Sequence, residues 1–239
     1  DGNVKKVVNA AGCRVVGYGK SKDLGWCLGE VDLKPPWSEF DVWKDGACYG
    51  RFKTMLLGEH NLLNVLSAIA VADLLDIPGE TVKQALATFK GVRRRQEVRG
   101  VKNGIVVMDD FAHHPTAVRE TVRAVKPFYP DGRLIAVFEP RTNTSMRDVF
   151  QDIYPECFDE ADLICIRKPP LLKKIPEAHR FSSEQLVQDL KQRGKDARYF
   201  ENTDLIIAFI KENAVPGDVV LIMSNGGFDK IHERLLGIL

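Results

Sequence analysis

From residue 100 onward the chain alternates short runs of apolar residues with longer stretches that are apolar on one face only. The apolar runs predict strands at 105–109, 133–138, 162–166, 197–200 and 218–223. The stretches between and after them predict helices over 116–126, 146–157, 183–193, 203–213 and 228–238. Val118, Val122 and Val125 fall on one helical face, as do Leu186 and Leu190. Strand–helix alternation of this kind implies an α/β fold: a Rossmann-like, doubly wound, mostly parallel sheet. Upstream, HNLLNVLSAIAVADLL over 60–75 has Leu62, Leu66 and Ile69 near helical spacing, and Pro78 and Gly79 stop it. A second helix, carrying Val82, Ala85, Leu86 and Phe89, completes a helical hairpin over 60–90. Residues 1–58 read as strands of a mixed sheet in VVNAAGCRVVGYG and GACYGRFKTMLLG, interrupted by a loop at Pro35, Pro36 and Trp37. Between the halves, GVRRRQEVRGVKNG (91–104) is basic, glycine-rich and without helical period, which places a domain boundary near 92–100.

Composition narrows the function classes. At 239 residues, with 44% hydrophobic and 28% charged residues, the chain can bury a sizeable core. A net charge of +1 supplies no field for nucleic acid or an acidic membrane surface, and no apolar run is long enough to cross a bilayer. Five cysteines without CxxC spacing fit a reducing cytoplasm rather than a disulfide framework or zinc site.

The candidate chemistry lies at strand ends, where open α/β sheets bind ligands. In MDDFAHHP (108–115) a strand-end carboxylate, Asp109 or Asp110, can accept both hydroxyls of a ribose, or the pair can hold Mg²⁺ through oxygen. Alternation favours Asp110 for the ribose. His114 precedes Pro115, the expected first residue of the next helix, where an anion is favoured. The plainer reading makes one Asp an N-cap and His113 and His114 exposed loop residues. In FEPRTNTSMRD, Glu139, Arg141, Asn143 and Thr144 follow the second strand; the alternative is an ordinary loop with Thr144 or Ser145 as a cap. In MSNGGF, Ser224, Asn225 and Gly226 end the last strand, either to let backbone N–H groups approach an anion or simply as a tight turn. In GEHNLLN, Asn61 and Asn64 share a helical face and can read adenine, with His60 beside them; either His60 or Asn61 can instead cap the helix. In GVRRRQE, Arg94 or Arg95 can bind phosphate through charge-assisted bonds of roughly 1.5–3 kcal/mol each, or the segment is a solvated basic linker.

In this order, GEHNLLNVLSAIAVA, GVRRRQEVRG and MDDFAHHP resemble the Mur ligases of peptidoglycan synthesis over about residues 50–239. FEPRTNT and MSNGGF resemble the murein peptide ligase branch, which joins UDP-N-acetylmuramate to the tripeptide L-Ala-γ-D-Glu-meso-diaminopimelate. The sibling that adds L-alanine shares the double-Asp, double-His loop. The resemblance implies ATP and Mg²⁺ as cofactors, with UDP-N-acetylmuramate and murein tripeptide as small-molecule partners. It implies that His60, Asn61, Asn64, Arg94 or Arg95, and Asp110 contact ATP. His114 and Arg141 would line the reacting cleft, and Asn143, Thr144, Ser224, Asn225 and Gly226 would face the peptide. The family's GxxxxGK[ST] phosphate loop does not occur in this sequence, and the chain does not open on Met. The expectation is therefore the latter part of a central ATPase domain (1–92) followed by the carboxyl-terminal peptide-substrate domain (100–239). Most Mg²⁺ ligands are then expected outside the chain, and the chain alone is expected to be inactive. The rivals are an L-alanine-adding or folylpolyglutamate-type ligase, and a non-catalytic nucleotide-binding module.

Overall fold

A computed structural model describes residues 2–239, which divide into two compact units, 2–90 and 91–239.

The first unit opens with helix α1 (Gly2–Val8), where the VVN run had suggested a strand. None of its residues is buried, although Val4, Val7 and Val8 fall at helical spacing. Strands β1 (Tyr18–Gly19), β2 (Trp26–Lys34), β3 (Trp37–Lys44) and β4 (Ala47–Thr54) form a sheet in that order. The β1–β2 pair is parallel and the others antiparallel, as a mixed sheet should be. Pro35 and Pro36 make the turn between β2 and β3. Period-two alternation in β3 buries Ser38, Phe40 and Val42 on one face. Phe40 pairs with Phe52 across the sheet, their rings stacked at 6.1 Å. Helices α2 (Glu59–Leu74) and α3 (Gly79–Thr88) cover this face through Leu62, Leu66, Ile69 and Leu86. Burying each such side chain contributes about 1.5–3 kcal/mol.

The second unit is built on strands β5 (Glu97–Lys102), β6 (Ile105–Asp110), β7 (Leu134–Phe138), β8 (Leu163–Arg167), β9 (Asp196–Phe200) and β10 (Val219–Met223). Their order is β5-β6-β10-β7-β8-β9, all parallel except β5, which pairs antiparallel with β6. The basic 91–104 segment thus contributes an edge strand, where the sequence had suggested a domain boundary without regular structure. Helices α4 (Pro115–Val125), α5 (Ser183–Gln192), α6 (Thr203–Asn213) and α7 (Ile231–Ile238) flank the sheet.

Alternation divides the strand side chains between two faces. Val107, Val137, Cys165, Val220 and Ile222 cluster with Ile206 and Ile210 of α6 and Ile231 and Leu235 of α7. On the other face Phe138 meets Tyr154 at 5.1 Å, in the segment that packs with α4 and α5.

Two expected helices differ. Residues 146–157 form short 3₁₀ turns at Asp148–Phe150 and Tyr154–Phe158, because Pro155 would break an α-helix running through it. The last helix begins at Ile231, since Phe228, Asp229 and Lys230 are left-handed, with φ of 43°, 49° and 56°.

Parallel register puts Met223 opposite both Asp110 and Phe138, so β6, β10 and β7 end at one level. The chain leaves β6 toward α4 and β10 toward α7, on opposite faces. Adjacent strands whose connections part in this way open a crevice at their carboxyl ends.

Candidate active site

The two aspartates ending β6 point to opposite faces, and both are buried. Asp110 accepts the backbone N–H of Ala112 at 2.7 Å on one oxygen and that of Gln96 at 2.9 Å on the other; the Thr121 hydroxyl is at 3.4 Å. Burial pushes its carboxyl above the usual range, against the opposing pull of those N–H groups. Asp109 lies among basic side chains: His232 Nε2 at 3.3 Å, Arg94 Nε at 3.4 Å and Arg99 at 3.5 Å. Burial alone would raise its pKa, but His232 and the two guanidiniums outweigh it and hold the carboxyl below the ordinary value. His232 carried no motif and went unnoticed in the sequence; its place on α7 facing the Asp109 side of β6 is visible only in the fold.

Arg94 and Arg95 share the Phe111 ring, the guanidinium carbon of Arg94 lying 5.1 Å from its centre, but they differ in exposure and in hydrogen-bond partners. Arg94 is left-handed (φ 58°), held by its N–H to the Glu97 carboxylate (2.8 Å) and by its carbonyl, which accepts from Phe111 (2.9 Å). Its Nη2 donates to the carbonyls of Ser224 (2.7 Å) and Gly226 (2.8 Å). Arg95 is exposed, its guanidinium 5.5 Å from the centre of the Phe111 ring.

The loop after β10 is fixed by side chains as well. Ser224 donates its hydroxyl to Glu139 at 2.7 Å and accepts the Gly226 N–H at 2.9 Å. Asn225 is half-buried, and its Oδ1 has no hydrogen-bond partner among the described residues. Glu139 is wholly buried and bonds the guanidinium of Arg167. Arg167 also donates to Asp229 at 2.7 Å, and Asp229 accepts from Thr203 at 2.6 Å. Arg141 lies 3.6 Å from Glu139 and rests on Gly226, where an added Cβ would sit 2.2 Å from its Cδ. A larger residue there would displace the arginine side chain from this position. Because Glu139 is already bonded by Arg167, the half-buried Arg141 guanidinium can serve a further anion.

His114 is the N-cap of α4: its Nδ1 accepts the Thr116 N–H at 3.3 Å, Pro115 is the first helical residue, and the exposed ring packs edge-on against Phe150. So the histidine takes the cap position that the plainer reading gave to an aspartate. His113 contacts the Phe111 carbonyl through Nδ1 at 2.9 Å. Asn143 and Thr144 are exposed on a turn closed by Thr142 and Ser145, whose hydroxyls lie 2.7 Å apart. Among the described residues, no group of three or more His, Cys, Asp or Glu could hold a metal ion.

In the first unit, Gly58 occupies the N-cap of α2, so neither His60 nor Asn61 does. Asn61 donates from Nδ2 to the Leu57 carbonyl at 2.8 Å, and Asn64 is exposed.

Residues 94–226 match the model of the Mur ligase, glutamate ligase domain. The chain belongs to the Mur ligase family. A UDP-N-acetylmuramate–L-alanine ligase of Caldanaerobacter subterraneus is 34% identical over 237 residues, which is 99% of this chain and 51% of that protein. The chain therefore spans about half the length of the curated relatives it matches. Among solved Mur ligases, a murein peptide ligase of Psychrobacter arcticus superposes with a TM-score of 0.61 at 30% identity, over 92% of this chain and 45% of that one. The UDP-N-acetylmuramate–alanine ligase of Thermotoga maritima shares the fold more closely, with a TM-score of 0.78, at 23% identity over 93% of this chain and 47% of that one.

Against that family, the site expected from sequence divides by unit. Arg94, Arg95, Asp110, His114, Arg141, Asn143, Thr144, Ser224, Asn225 and Gly226 all lie in the second unit, on or beside loops at the carboxyl edge of its sheet. His60, Asn61 and Asn64 lie on the first turns of α2 in the first. The sequence reading missed Arg167 and Asp229, which complete the Glu139 network. Its one available signal was an arginine closing the otherwise apolar run LICIR.

Proposed function

We propose that the whole protein is an ATP-dependent ligase joining UDP-N-acetylmuramate to the tripeptide L-Ala-γ-D-Glu-meso-diaminopimelate, in the cytoplasm. The observation that carries this reading is the meeting of FEPRTNT and MSNGGF at one sheet edge, with Arg141 resting on Gly226 and Ser224 bonded to Glu139. Both strings resemble the murein peptide ligase branch, and the 30% identity to the Psychrobacter enzyme supports it.

When bound, ATP would supply the phosphoryl group that activates the muramyl carboxylate, and Mg²⁺, held mainly outside this chain, would neutralise its charge. The chain's own residues position and exclude. Asn61 and Asn64, with His60, contact adenine. Arg95 presents the exposed cation to the phosphates. Asp110 takes ribose hydroxyls on lone pairs left over from its two N–H bonds. Arg141 and the free ring nitrogen of His114 line the cleft, and Asn143, Thr144, Ser224, Asn225 and Gly226 seat the peptide. The phosphate-loop motif is not among these residues, so the chain supplies part of the ATP site.

The L-alanine-adding activity is the second reading, favoured by the curated relatives. ADP release by the whole protein with UDP-N-acetylmuramate and either tripeptide or L-alanine separates them. The expected result is a kcat/KM at least tenfold higher for tripeptide. The reverse preference establishes the L-alanine reading, and ATP binding without turnover on either acceptor establishes a nucleotide-binding module.

A further inference from the structure

We infer that Arg94 is a positioning residue for the Ser224–Gly227 loop, which leaves the phosphate role proposed above to Arg95. One nitrogen of Arg94, Nη2, donates to two carbonyls two residues apart, Ser224 at 2.7 Å and Gly226 at 2.8 Å. This fixes the planes of the 224–225 and 226–227 peptides together. In a trans peptide the N–H points opposite to the C=O. With both oxygens drawn to Arg94, the N–H groups of Asn225 and Gly227 face away from it. The intervening Gly226 N–H is taken by the Ser224 hydroxyl, which is bonded in turn to the buried Glu139. The loop is therefore held from two sides before any ligand arrives, and preorganised donors cost no ordering when a ligand binds.

The backbone of Arg94 is equally constrained. Its left-handed conformation is pinned by Glu97 and Phe111, and the next N–H but one, that of Gln96, is clamped by Asp110. Arg95 sits between these two anchors with its own side chain exposed. One short segment thus links the residue proposed to meet phosphate with the loop proposed to meet the acceptor.

The inference on Arg94 rests on the ligase reading only for its catalytic consequence, so the test has two readouts. Arg94→Asn keeps a residue that tolerates the left-handed backbone. Arg94→Lys keeps the charge beside Asp109 but replaces a rigid fork with a single ammonium. Asp109 retains Arg99 and His232 in either variant, so its buried charge stays partnered. In the whole protein, amide hydrogen exchange at residues 225–228 is expected to speed up at least tenfold in Arg94→Asn, with only partial rescue by Arg94→Lys. The KM for the acceptor is expected to rise at least tenfold while the KM for ATP changes less than twofold. Unchanged exchange at 225–228, or a KM for ATP raised as far as by Arg95→Ala, overturns the inference. The exchange measurement needs no substrate, so it separates failure of this inference from failure of the ligase reading.

Discussion

Arg167 ends a strand in which every residue is buried, and its charge is tolerable there only because Glu139 and Asp229 meet it. Removing one member of a buried ion pair leaves the other uncompensated, which costs roughly 3–5 kcal/mol. Arg167→Met should therefore lower the free energy of unfolding by about that much, since Arg141 at 3.6 Å replaces Arg167 poorly. Adding Glu139→Gln should restore much of the loss, because no buried charge then lacks its partner. Urea titration of the single and double variants checks both; a loss under about 1 kcal/mol for Arg167→Met would show that Arg141 compensates. At this scale the sequence offered residue types but not partners. Glu139, Arg141 and Ser224 stood out because they fall in polar strings, FEPRTNT and MSNGGF, that follow apolar runs. Arg167 and Asp229 did not, because their importance comes from side chains that lie far off in sequence and close in space. Arg94 was visible as a cation, but its use depends on one backbone angle that nothing in RRR announces.

The elements that were legible are those whose environment is uniform. Strands β6, β7, β8 and β10 are buried on both faces, so they read as unbroken apolar runs. Edge strand β5 has no buried residue, and two exposed valines, Val98 and Val101, so its sequence resembles a loop. Pro155 was the available warning against a helix over 146–157, and the apolar spacing around it obscured the signal. Helix α6 was clearer, with Asn202 before it and Ile206, Ile207 and Ile210 along its buried face. Asn202 Oδ1 accepts the Leu205 N–H at 3.1 Å, satisfying one of the donors that a helix start leaves open. Asn202→Ala should cost about 1 kcal/mol and Asn202→Asp much less, since aspartate caps equally well. Thermal unfolding of the two variants measures the difference. Equal midpoints would mean that packing of the three isoleucines, rather than the cap, sets the start of α6.

The two units each have a core of their own, and the partners of Arg94, Asp109 and Asp110 described above lie within 91–239. That makes the starting point of the second unit a physical question. A polypeptide of residues 91–239 keeps β5 on the edge of β6, the Gln96 N–H on Asp110, and both Arg94 and Arg99 beside Asp109. A polypeptide of residues 104–239 keeps the whole parallel sheet but loses all of these. Asp109 is then left with His232 alone, and the backbone of β6 becomes an open edge. Residues 91–239 should therefore fold as a monomer with one cooperative urea transition, in which near-ultraviolet circular dichroism and fluorescence coincide. Residues 104–239 should be less stable by several kcal/mol, since a buried carboxylate has lost its guanidinium partners, and should self-associate through the uncovered edge. The two polypeptides share every apolar strand and every helix of the unit. A difference between them thus reports the basic segment alone. Equal stability and a monomeric shorter form would reduce that segment to a tether, and with it the idea that the edge strand and its arginines hold the site together.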